Sequence, residues 1–97
     1  MNSKSVYKVP NGKLLKIILD YNEENNSIES IKITGDFFAY PEEAIEVLEE
    51  KLKDNKLEKE ELFKQIDQTI KDNNFEFIGL DPKGLVKGIL MCVDIND

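Results

Sequence analysis

Apolar and polar positions alternate from Lys13 to Tyr21, KLLKIILDY, with Leu15, Ile17, Leu19 and Tyr21 on one face and Leu14, Lys16, Ile18 and Asp20 on the other. That period of two predicts a strand whose first face lies in the core. PNG (Pro10, Asn11, Gly12) before it is a turn signal, and VYKV (Val6 to Val9) ahead of the turn is a candidate partner strand. After the polar stretch NEENNS, SIESIKIT brings Ile31 and Ile33 to one face and Lys32 and Thr34 to the other, predicting a third strand. Links this short predict an antiparallel meander.

Period two then gives way to period 3.6. Pro41, Glu42 and Glu43 suit the first turn of a helix, where proline loses no hydrogen bond and acids oppose the dipole. Ala44, Ile45, Leu48 and Leu52 form its stripe. A second helix follows KDNK, with Leu62, Phe63, Ile66 and Ile70 as its apolar face. Asn55 with Glu58 is a candidate capping box, and a start two or three residues later fits equally well. Glu49 with Lys53, Glu60 with Lys64, and Asp67 with Lys71 are spaced for ion pairs on the wet side. FEFIGLDPKG returns the chain through a short extended piece. Asp81 is then the expected cap of a last helix with Pro82 at its first position, carrying Leu85, Val86, Ile89 and Val93 inward. The fold class this predicts is α+β: a three-stranded antiparallel sheet covered on one face by two or three helices. Residues 1–97 are read as a single domain.

Composition narrows the setting. With 97 residues, 40% hydrophobic and 34% charged, the chain has room for one core. The longest apolar run, GILMCV, is far too short to span a bilayer, and the N-terminal stretch does not resemble a secretion signal. One cysteine excludes an internal disulfide and fits a reducing compartment, so the expected location is cytoplasmic. The net charge of −7 is unevenly placed: residues 1–40 are balanced, whereas residues 41–76 carry six lysines against twelve acids. Such a segment repels phosphate backbones and anionic bilayers, and the chain has no arginine, so neither nucleic acid nor membrane is an expected partner.

Chemistry-bearing residues are few. Histidine is absent, which removes the commonest general base and metal ligand, and the glycines form no phosphate-binding pattern. No catalytic residue and no metal site are expected. Cys92 is the one candidate nucleophile, but its place beside Val93 at the far end of a helix fits core packing, without the cation or helix N-terminus that activates a thiol. Lys8, Lys16 and Lys32 share the sheet's open face with the apolar Ile18. They are either ordinary solubilising charges or the approach to an anionic group or acidic partner.

The stretch ITGDFFAYPEEA departs furthest from a bland surface. It places Phe37, Phe38 and Tyr40 where a strand hands over to a helix. Gly35 is a candidate for close backbone approach, and Asp36 for bonding the turn. In extended chain Phe37 and Phe38 face opposite ways, so one is expected to close the core and the other, with Tyr40, to meet a partner.

KVPNGKLLKI, ITGDFFAYPEEAIEVLEEKL and GLDPKGLVKGI, in this order and over Lys8 to Ile89, resemble the accessory domain of lipoate–protein ligases. In that family the domain follows the catalytic domain in one chain or, in some archaea, forms a separate small subunit. The resemblance implies a non-catalytic subunit that supports condensation of lipoate with ATP to lipoyl-adenylate on a catalytic subunit, which then modifies a lysine of a lipoyl acceptor domain. ATP, magnesium and lipoate would belong to the complex, with no cofactor bound by this chain alone. Gly35, Asp36, Phe37 and Phe38 match the GDFF signature, and Gly12 with Lys13 the GKL strand start. These, with Tyr40 and Lys16, are expected to face the catalytic subunit. The same fold is similar to that of iron–sulfur scaffold and sulfur-acceptor proteins, which leaves a sulfur relay through Cys92, or a plain interaction module, as the alternatives.

Overall fold

The computed structural model describes residues 1–10 and 12–93. Three strands, β1 (Asn2–Lys8), β2 (Leu14–Asn22) and β3 (Ser27–Gly35), pair antiparallel in the order β1-β2-β3. The chain continues through β4 (Phe38–Tyr40), α1 (Ala44–Leu52), α2 (Lys59–Asn73), β5 (Glu76–Ile78) and α3 (Pro82–Met91). The α+β reading holds, with three helices beside the sheet, and α3 packs on β1 and β2 while α1 packs on β3.

Leu15, Ile17, Leu19 and Tyr21 are buried under the helices, as their alternation requires. Ile28 joins Ile31 and Ile33 in the core although it is out of phase with them. A bulge explains it: Asp20 pairs with Ser30 but Tyr21 with Ile28, so Glu29 is the extra residue and both segments face inward. β1 begins earlier than VYKV, at Asn2, because its full length pairs with β2, from Asn2 opposite Asp20 to Lys8 opposite Leu14. The buried Ser5 hydroxyl donates to the Gly88 carbonyl of α3 at 2.7 Å, tying the edge strand to the helical layer.

Local chemistry moves several boundaries. Pro41 to Glu43 form a turn, with the Ala44 N–H bonded to the Pro41 carbonyl, so α1 begins three residues later than its proline predicts. The Asn55–Glu58 capping box does not form, since Asn55 donates instead to Lys51 at the end of α1, and α2 starts from an uncapped Glu58. Asp81 does cap α3, its Oδ1 accepting the Gly84 N–H at 2.6 Å. Asp67 and Lys71 pair at 2.9 Å, whereas Lys53 pairs with Glu50. Glu49 is otherwise engaged: its carboxylate accepts the Ile33 N–H at 2.7 Å, occupying a donor on the outer edge of β3. Val93 lies beyond α3 yet still packs on the core. Phe63 is the exception on the α2 stripe, 37% exposed, while Thr69 takes a buried place and satisfies its hydroxyl on the Gln65 carbonyl.

Candidate functional site

Three segments far apart in sequence meet at one end of the sheet. The β1–β2 turn is held by Gly12 N–H to Val9 O and Val9 N–H to Lys13 O, and the Lys13 N–H reaches across to Gly79 O at 2.9 Å. Asp36 continues the β2–β3 ladder through its N–H to Leu14 O at 3.1 Å. Two glycine junctions make this approach feasible. A Cβ on Gly35 would collide with the Leu14 carbonyl and crowd the Phe37 ring at 2.9 Å, and one on Gly12 would stand 2.7 Å from Gly79 O. Gly79 itself, at φ +88°, occupies the left-handed region that favours glycine, and the Lys13 stem covers it.

From this junction β4 and β5 rise as a two-stranded ribbon, pairing Phe38 with Ile78, Ala39 with Phe77 and Tyr40 with Glu76. Alternation divides the ribbon. Ala39 and Phe77 face inward, Phe77 packing on the core and meeting Phe75 edge-to-face at 6.4 Å. Phe38, Tyr40 and Ile78 face out at 58, 52 and 50% exposure. Phe37 packs against the core, so the two adjacent rings divide between core and surface as extended geometry requires. Asp36 holds the turn through its backbone, and its carboxylate makes no hydrogen bond among the described residues.

The structure thus brings Gly12, Lys13, Gly35, Asp36, Phe37, Phe38 and Tyr40 to one end. Lys16 lies elsewhere, on the open sheet face between Val6 and Thr34. Ile78 is the residue that sequence reasoning missed. Its only signal was the extended character of FEFIG, and nothing local tells that this piece pairs with FAY.

The chemistry of the remaining groups is plain. Among the described residues no group of three or more acids or cysteines is placed to hold a metal. An open groove of about 940 Å³ between α2, α3 and β1 holds Phe63, Leu90 and Met91, rimmed by Lys59, Lys83 and Lys87. Cys92 is fully buried, its sulfur 3.7 Å from Gly88 O and 3.9 Å from Ile17 O. Burial pushes its pKa up, with a weaker opposing effect from the Ser5 hydroxyl, so the thiolate needed for a relay is disfavoured. Native protein is therefore expected to resist an aromatic disulfide reagent at neutral pH and to react fully once unfolded in guanidinium. Rapid labelling without unfolding would restore Cys92 as a reactive group. Stability shifts the same way: the contribution is intact below the unfolded thiol's pKa and is lost as pH rises through the raised native value.

The exposed aromatic ribbon and the glycine junction stand together at one end of a small α+β domain. The family described as bacterial lipoate protein ligase C-terminus matches residues 11–89, and the chain belongs to it. Its structure is also similar, at TM-score 0.78 and 26% identity over 92% of this chain and 94% of the other, to one in a structural analysis of an archaeal lipoylation system. That system comprises a bi-partite lipoate protein ligase and its E2 lipoyl domain from Thermoplasma acidophilum. No curated protein matches. No described helix is long and apolar enough to cross a membrane.

Proposed function

We propose that this chain is the non-catalytic accessory subunit of a two-part lipoate–protein ligase, supporting ATP-dependent activation of lipoate on a separate catalytic chain. The observation that carries the reading is likeness along nearly the whole length, and not merely in part, to a chain of the bi-partite system. Family membership over residues 11–89 and an aromatic ribbon left exposed among the described residues support it. ATP, magnesium and lipoate are handled by the catalytic chain, and the E2-type lipoyl domain is the eventual acceptor. The ribbon of Phe38, Tyr40 and Ile78, with the Gly12–Lys13 and Gly35–Asp36 junction beneath it, is the surface the catalytic chain covers.

A docked domain aids adenylate formation in one of two ways. It covers the site and excludes water from a mixed anhydride, or it holds mobile catalytic loops in their reactive arrangement. The test is lipoate-dependent ATP–pyrophosphate exchange by the catalytic chain of the same genome. Exchange is expected only when both chains are present. Full exchange from the large chain alone, unchanged on addition of this one, would remove the assignment.

A further inference from the structure

Among the described residues nothing covers the face of the sheet turned away from the helices, and its composition is unlike the rest of the molecule. Strand register sets it out in rows. Lys4, Ile18 and Lys32 stand side by side in one row, Val6, Lys16 and Thr34 in the next, and Lys8 beside Leu14 follows. Val6 is 58% and Ile18 48% exposed, and all four lysines are exposed. The ion pairs among the described residues, Lys53–Glu50 and Lys71–Asp67, involve none of them. Asp20, on the same face at its far end, is half-buried and takes the Asn2 amide at 3.3 Å. A chain of net charge −7 has thus gathered a basic, apolar-centred face opposite its acidic helices.

Charge and size select the occupant. The lysines are spread over rows with aliphatic side chains between them, so they do not converge on one small anion. Exposed aliphatic side chains interleaved with the lysines match a folded protein surface presenting acids around an apolar residue, and not the uniform charge of nucleic acid or an anionic bilayer. Strand spacing and rise make the patch about 10 by 20 Å, or roughly 200–400 Å². A stable complex covers about 800 Å² per partner, so this face suits a passing contact and not a resident subunit or a durable dimer.

We propose that the open sheet face is the docking surface for the protein substrate of the complex, the acceptor domain awaiting its lipoyl group, met through acids on that domain's surface. It is distinct from the aromatic ribbon that the catalytic chain covers. This rests on the accessory-subunit reading. Weak, charge-led contact of this kind raises the encounter rate of a substrate that must leave after modification.

The experiment uses the two-chain ligase and the E2-type lipoyl domain of the same genome, with Lys4→Glu/Lys32→Glu in this chain. The expected result is a rise of about tenfold or more in the acceptor's KM, with a flattened dependence on salt. Lipoate-dependent pyrophosphate exchange and melting temperature should be unchanged, and Lys4→Arg/Lys32→Arg should keep the wild-type KM. An unchanged acceptor KM in the glutamate variant overturns the proposal. So does loss of exchange together with the complex, which would give this face to the catalytic chain, or wild-type self-association abolished by the variant, which would give it to a second copy. Exchange that never needed this chain would instead sink the accessory-subunit reading itself.

Discussion

Phe38→Ala/Tyr40→Ala is expected to release the catalytic chain while leaving the accessory domain folded. Both rings are more than half exposed in the isolated chain, so little of their surface contributes to its stability. At an interface the same rings are the residue type that carries binding free energy, on the order of 2 kcal/mol each when enclosed. The double variant should therefore weaken the complex by about 100- to 1,000-fold, read by titration calorimetry. Its melting temperature should fall by only a few degrees, as for surface substitutions that cost about 1 kcal/mol or less. A melting loss as large as the binding loss would make the rings structural. Ile78→Ala should follow the aromatics, because it stands directly opposite Phe38 on the same exposed face.

Leu85→Ala should do the reverse. Leu85 of α3 is 1% exposed and stands with Leu48 of α1, Ile66 and Ile70 of α2, and Phe77 of β5 around a single small void. Every layer except the sheet contributes to that point, so truncation opens a cavity that no one element can move to fill. The cost expected for such a site is about 3–4 kcal/mol. Against the 5–15 kcal/mol typical of a domain, that lowers the melting temperature by roughly 15–25 °C. Calorimetric melting measures it directly. Binding of the residual folded protein at low temperature should stay near wild type, since the ribbon's outer face is untouched. A loss under 1 kcal/mol would mean that the helices close over the gap.

The parts of this fold that were legible in the sequence are those whose signal is long. β2 repeats its alternation over nine residues, β3 keeps it from Ile31 to Thr34, and α3 carries both a capping aspartate and a proline at its start. The ribbon was not legible, because three-residue strands have no periodicity to detect and their pairing joins residues some forty positions apart. Ile28 was hidden by the bulge, which breaks the phase that pattern reading relies on. Phe63 was misjudged for the opposite reason: it keeps the helical phase of its neighbours but sits at the margin of their stripe, where α2 and α3 leave a groove. The candidate site was half visible. Alternation was enough to divide Phe37 from Phe38, but only the folded chain shows that GDFF, GKL and the segment before α3 share one junction. Lys4 entered the open face only once β1 proved to begin at Asn2, ahead of VYKV.

The ribbon has another consequence. The chain leaves the sheet through β4, makes both α1 and α2, and returns through β5 directly opposite its point of departure. The acidic helical excursion is therefore a closed loop whose neck is the three-residue pairing of Phe38 with Ile78, Ala39 with Phe77 and Tyr40 with Glu76. So short a pairing is a weak clasp, and the loop is tied down a second time at its far end, where the link between the helices bonds the β2–β3 turn through Leu57 N–H to Asn26 O and Ile28 N–H to Asn55 O. A protein that gripped the outer face of the neck would hold departure and return at once, and its binding free energy would add to the cost of opening that pairing. Docking at one end of the sheet would in this way steady the mouth of a helical loop whose far end lies well beyond the contact.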